Sequence, residues 1–167
     1  MSESIITLLL QGTLETIVMT FLAGFFGFLL GLPSGILLFL TRKGQILEHV
    51  IFNRILSILV NIFRSIPFII LIVWMIPFTR ALVGTSIGVS AALVPLSIGA
   101  APFIARLVEN SLLSLPSGLI EAARALGATP LQIVYKVLLP EALPSLINAA
   151  SITLITLVGY SAMGGAV

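Results

Sequence analysis

Apolar residues in this chain run in long blocks separated by short polar connectors. The first uncharged block, Thr16–Thr41, would be roughly 39 Å long as a helix at about 1.5 Å per residue, enough to cross a bilayer. The blocks predict four spans, at about 16–41, 55–78, 81–105 and 147–167. Arg64, Pro67 and Pro77 interrupt the second, and the third holds Pro95 and Pro102. Short connectors lie at 42–54 and near Arg80, and a long polar one covers 106–141. Within the first block Gly27, Gly31 and Gly35 recur every fourth residue, with Gly24 nearby. Such a row offers bare backbone for close helix contact, although glycine is also simply common in membrane helices. Pro33 is expected to bend this helix.

Composition turns this pattern into a class. Of the 167 residues 59% are hydrophobic and 8% charged, where a soluble domain carries about 25% charged residues. Long apolar blocks without strict alternation point to helices rather than a barrel. The expected fold is an all-α, polytopic transmembrane helical bundle forming one domain over residues 1–167. Met1–Glu15 contains Glu3 and Glu15 but no Lys or Arg, against a cleaved signal peptide. Arg42, Lys43 and Arg54 lie in one connector and Arg106, Arg124 and Lys136 in another, against Arg80 alone between them. The positive-inside rule therefore puts both basic connectors in the cytoplasm and the N-terminus outside. The C-terminal stretch Tyr160–Val167 has no charge or interfacial anchor, so the expectation is of a chain truncated before a final span.

Several chemistries are excluded. The chain has one histidine, no cysteine and no aspartate, so a Ser-His-Asp triad, a zinc site and a carboxylate cluster are all out of reach. There is no G-x-x-x-x-G-K-[ST]. The chain is not read as an enzyme and is expected to hold no cofactor or metal; any ATP must be bound by a partner. A net charge of +2, spread between spans, gives no reason to expect nucleic acid. His49 has no second ligand nearby and reads as an interfacial residue.

The most informative stretch is Glu121–Pro140, EAARALGATPLQIVYKVLLP. Gly127 can end a short helix in a left-handed cap. Thr129, Pro130 and Gln132 then form the start of a second helix, with a capping box. Ala122, Ala123 and Ala128 give the first helix little bulk, so its backbone can seat in a groove on another protein. In the last span Thr153, Thr156, Tyr160 and Met163 share about a quarter of the circumference at 100° per residue. Hydroxyls beside a thioether suit a pathway for a small zwitterion with an apolar side chain. A helix contact held by hydroxyl hydrogen bonds is the equal alternative. Gly159, Gly164 and Gly165 add backbone freedom or close packing. Arg64 either faces a pathway or neighbouring helix, or snorkels near the cytoplasmic end; Pro67, as a natural start of the buried segment, favours the second.

Glu121-Ala122-Ala123, Gly127 and Leu139-Pro140 resemble the EAA loop of binding-protein-dependent ABC importer permeases, with Val137 in place of that pattern's Ile. The resemblance implies the type I ABC importer permease fold. It also implies that Glu121, Ala122, Ala123, Gly127, Ala128, Leu139 and Pro140 couple the permease to a cytoplasmic ATPase. Asn61–Arg80, Gly99–Leu112 and Ile152–Val167 are similar to permease subunits of bacterial methionine importers. That narrower resemblance implies an inner-membrane homodimer of permeases in the lipid bilayer, two cytoplasmic ATP-binding subunits and an extracytoplasmic methionine-binding lipoprotein. It also implies a fifth span beyond this chain's last residue. The expected function is methionine import by alternating access, with Thr156, Tyr160 and Met163 lining the pathway. An importer of another amino acid or small peptide, or a truncated non-transporting scaffold, are the alternatives.

Overall fold

A computed structural model of the chain describes residues Ser2–Gly164. Gly165 and the end of the last expected span, 165–167, lie outside the described residues. The all-α expectation holds: the helices are α1 (Ser2–Leu40), α2 (Val50–Ser65), α3 (Phe68–Val83), α4 (Val89–Leu113), α5 (Ser117–Ala125), α6 (Pro130–Ile133) and α7 (Leu139–Gly164). A π-helical segment, Val134–Leu138, joins α6 to α7 without a break. Among the described residues three helical runs are long and apolar enough to cross a membrane: Ile5–Leu40, Val89–Leu113 and Pro130–Gly164.

The glycine row seats α1 against α4. A Cβ at Gly31 would lie 2.7 Å from the Cβ of Ile104 and 2.8 Å from the Ala101 carbonyl oxygen. At Gly35 it would lie 2.5 Å from the Ala105 carbonyl oxygen, and at Gly27 3.1 Å from the Cβ of Ala100. The backbones therefore touch where no side chain fits. Leu38, Ala105 and Ile104 are fully buried at this seam. Pro33 lies inside α1, which runs on to Leu40.

The register of that seam fixes the topology. Gly27, Gly31 and Gly35 meet successively later residues of α4, so α1 and α4 are parallel. Two parallel spans require one net crossing between them. The α2–α3 pair makes it: Ser57 and Asn61 face Arg106, Phe68 and Leu71 face Gly99, and Ile72 and Ile76 reach the level of Val89 and Ala92. The pair is thus one broken span and not a re-entrant loop. In α7 the direction reverses, since Ser145 meets Ser111 at 2.8 Å and Gly164 meets Ala92.

Three expected spans are corrected. The second span, 55–78, is not continuous: α2 and α3 meet at 104°. Proline forces its predecessor out of the helical region, and Ile66 has ψ 122° and Pro67 ψ 133°. The third span begins at Val89 rather than 81, because Gly84 (φ 82°) and Gly88 (φ 99°) make a left-handed turn. It also runs past Arg106 to Leu113, since that arginine is paired inside the helix with Glu109 at 2.5 Å. The last span starts at Leu139 and continues the helix of the coupling region, instead of succeeding it as a separate element.

At the basic end, the carboxylate of Glu109 is buried between Arg106 and Arg42, the latter at 3.6 Å. Arg106 also donates to the Ser57 carbonyl oxygen at 3.1 Å, to Asn61 Oδ1 at 3.0 Å and to the Ser57 hydroxyl. Asn53 donates to the Leu38 carbonyl oxygen at 2.6 Å. His49 is a helix cap, its Nδ1 accepting from Phe52 N–H at 3.1 Å. The two basic connectors therefore share one end of the bundle.

Packing and topology can each be tested by substitution. Gly31→Leu must push α1 off α4; overpacking costs about 1–3 kcal/mol or more. The assembled, detergent-stable protein should fall while membrane insertion persists, as read by size-exclusion yield against total membrane protein. Because the chain has no cysteine, single cysteines report topology directly. Residues beside Gly44 or Gly118 should resist an impermeant thiol reagent on intact cells, and one beside Gly84 should react.

Candidate functional site

The coupling stretch folds as its turn chemistry dictates. Helix α5 ends where Gly127 adopts φ 76°, and the Ala128 N–H donates back to the Ala123 carbonyl oxygen at 3.1 Å. Thr129 then caps α6: its hydroxyl accepts from Gln132 N–H at 3.4 Å, and Gln132 Oε1 accepts from Thr129 N–H at 3.0 Å. Pro130 takes the first helical position. Ten residues later Pro140 would collide with a carbonyl one turn below it in a regular helix. The wider π turn at Val134–Leu138 relieves that clash, with Leu139 N–H donating to the Val134 carbonyl oxygen. Such π segments recur at functional sites.

The structure sorts the predicted coupling residues. Glu121, Ala122, Gly127 and Pro140 are exposed. Ala123 is buried instead, and Ala128 and Leu139 pack partly against the same core. The small side chain of Ala123 thus seats α5 on its own protein, rather than opening it to a partner. Sequence reasoning missed the apolar surface beside the turn: Leu126 is 88% exposed, Leu131 68% and Tyr135 65%. The available signal was the presence of apolar residues in a polar connector. Glu121 and Arg124 rim a cavity of about 210 Å³ that reaches Phe39 and Leu112 at the ends of α1 and α4.

The α7 stripe is graded. Thr153 is fully buried and its hydroxyl donates to the Ala149 carbonyl oxygen at 2.8 Å. Thr156, partly buried, bonds the Ile152 carbonyl oxygen at 2.9 Å. Tyr160 stacks on Phe68 of α3, with ring centroids 4.3 Å apart and planes at 8°. Met163 is 43% exposed. The structure therefore brings Tyr160 against the α2–α3 break, leaves Met163 at the surface and turns Thr153 inward. A Cβ at Gly159 would meet nothing within 4 Å, so that glycine serves no packing among the described residues.

The preferred reading of Arg64, an interfacial snorkelling residue, does not fit its place. It lines a cavity with Gly99 and Phe103, and these lie midway along α4. Phe103 is about 15 Å from Leu113 at about 1.5 Å per residue.

Residues 27–167 match the family described as "Binding-protein-dependent transport system inner membrane component". The chain belongs to this family of inner-membrane transport components. As a member of that family it resides in the inner membrane. It is 71% identical over 165 residues to "D-methionine transport system permease protein MetI" of Salmonella typhi, covering 99% of this chain and 76% of that protein. It is 70% identical over 165 residues to the protein of the same name from Escherichia coli (strain K12), with the same coverage. Among solved structures it matches a chain of "Inward facing conformations of the MetNI methionine ABC transporter" with TM-score 0.98 and 70% identity, covering 99% of this chain and 77% of that one. A chain from an amino acid ABC transporter matches at TM-score 0.77 and 22% identity, a likeness of fold alone.

The turn at Gly127 carries a testable consequence. Space around it is open, so only backbone strain opposes a side chain there. Gly127→Asn, a residue that tolerates the left-handed region, should keep ATPase association. Gly127→Val should cost about 1–2 kcal/mol or more of local strain and reduce the ATPase recovered by co-purification, with insertion unchanged.

Proposed function

We propose that this permease is the membrane-spanning subunit of an ATP-driven importer that brings methionine into the cytoplasm. It works as a homodimer with two cytoplasmic ATP-binding subunits and an extracytoplasmic substrate-binding lipoprotein. The chain is a transport subunit and not an enzyme; hydrolysis belongs to the partner. One observation carries the reading: a chain 71% identical to a D-methionine permease over nearly its full length presents an uncovered helix–turn–helix knob at its basic end. Glu121, Ala122, Ala123, Gly127, Ala128, Leu139 and Pro140 form or support that knob. Its exposed leucines offer apolar area that a partner would cover.

The continuity of the helix supplies the mechanism. From Pro130 to Gly164 the chain is one helical run of 35 residues, about 52 Å long. It carries the capped turn at one end and Thr156, Tyr160 and Met163 towards the other. Displacement of α5 by closure of the ATPase dimer is transmitted along this run, with the π segment as the compliant turn. The spans then rock about the permease dimer axis to open the pathway on alternate sides. Substrate affinity must differ between the two states, or ATP could not drive net transport.

Proteoliposomes holding the assembled complex should take up methionine only with ATP inside the ATPase-facing compartment and with the binding protein present. Absence of uptake under those conditions overturns the reading. If Met163 faces the pathway, Met163→Trp should lower methionine uptake about tenfold or more by size alone, while complex yield is kept. Undiminished uptake would assign that face to helix contact.

A further inference from the structure

On α2, Asn53, Ser57, Asn61 and Arg64 fall within about 80° of the circumference at 100° per residue. They form one polar stripe, half-buried at Asn53 and Ser57 and exposed at Asn61 and Arg64. The first three are engaged: Asn53 bonds the end of α1, and Ser57 and Asn61 bond Arg106. Arg64, the last of the stripe, has no hydrogen-bond or ion-pair partner among the described residues and is exposed on the single chain. It borders a cavity of about 120 Å³ walled by Phe63, Phe68, Phe103 and Tyr160, with Gly99 at its floor. This is the depth at which α2 breaks from α3, midway along α4. An arginine at mid-bilayer is costly and is retained where it lines a polar cavity or binds something.

We propose that this cavity is a carboxylate subsite of the translocation pathway, in which Arg64 binds the α-carboxylate of the amino acid in transit. The planar guanidinium matches a carboxylate with two parallel hydrogen bonds. The volume equals about four water molecules at about 30 Å³ each, room for the charged head of an amino acid. The aromatic walls receive the rest of the substrate: an apolar side chain against Phe63 and Phe103, and the ammonium over the stacked Phe68–Tyr160 pair. Gly99 lets Phe68 and Leu71 of α3 pack close on α4 beside the cavity, since a Cβ there would lie 3.1 Å from Leu71 and 3.3 Å from Phe68. Tyr160 places the subsite on the same helical run as the coupling turn, so a movement of α7 against α3 would open or close it. The inference rests on the importer reading and adds where and how the substrate's charge is held.

The test uses the wild-type complex with its ATPase subunits, in detergent and without the binding protein. Phenylglyoxal modification of Arg64 is monitored by peptide mass spectrometry. Methionine at about ten times its half-protecting concentration should slow modification of Arg64 about tenfold, while 3-(methylthio)propylamine, which lacks the carboxylate, should slow it less than about twofold. In proteoliposomes Arg64→Gln should raise the methionine concentration for half-maximal uptake about tenfold or more, with Arg64→Lys recovering part of the loss. Equal protection by the amine, or none by methionine in a complex that imports it, overturns the subsite and leaves the importer reading standing. Protection by added anionic phospholipid but not by methionine reassigns Arg64 to a lipid headgroup. If the wild-type complex does not import methionine, the importer reading falls and the subsite with it.

Discussion

The backbone contact between α1 and α4 is the constraint on which the rest of the bundle depends. In a membrane, apolar side chains gain little by leaving lipid for one another, so helices associate through close packing. Gly27, Gly31 and Gly35 bring α1 within van der Waals reach of Ala101 and Ala105 backbone oxygens. That seam sets the two helices parallel and thereby obliges α2 and α3 to cross the membrane between them. It also brings Arg42 beside the buried carboxylate of Glu109, which gathers both basic connectors at one end. The relative directions of the spans derive from this one contact.

Proline and glycine then divide the remaining labour. Pro67 breaks the second span at mid-depth and creates a corner, which is filled by aromatic rings and by Arg64. Gly127 makes the turn between α5 and α6, and Pro140 widens the helix one turn above it. Both features lie on, or lean against, the single run from Pro130 to Gly164. The exposed knob and the stripe of Thr156, Tyr160 and Met163 are therefore parts of one helical element. An importer needs such a link, because the energy is released on another subunit some tens of ångströms from the substrate.

Buried polar groups are placed by the same logic. Glu109 is held by two arginines, and Arg106 is satisfied by Ser57 and Asn61 as well; breaking a buried pair of this kind costs about 3–5 kcal/mol. Hydroxyls within α7 bond carbonyls one turn back, which leaves their helix intact and their faces available. Arg64 is exposed and has no hydrogen-bond or ion-pair partner among the described residues; its place on the aromatic-walled cavity at the α2–α3 break is what sets it apart from the other exposed charges.

Local chemistry was legible without the fold. The capped turn at Gly127 and the capping box of Thr129 and Gln132 depend on neighbours within a few residues, where backbone sterics and hydrogen bonding decide the outcome, and the spacing of the glycine row showed a bare helix face without naming the helix that covers it. Apolar block length likewise set the all-helical membrane class, and the Lys and Arg count grouped the two basic connectors that the bundle brings to one end. Tertiary structure alone decided the rest. A charge ends a span in a hydropathy reading, but Arg106 stays inside α4 because Glu109 of its own helix and Ser57 and Asn61 of α2 satisfy it. Ala123 reads as a partner-facing residue until the core beneath α5 is seen to claim it. Arg64 looks interfacial along the chain and lies level with the middle of α4 in space, because α2 packs along α4 as far as Gly99 and Phe103 before it breaks. Sequence spacing measures distance along a helix, and only packing converts it into depth.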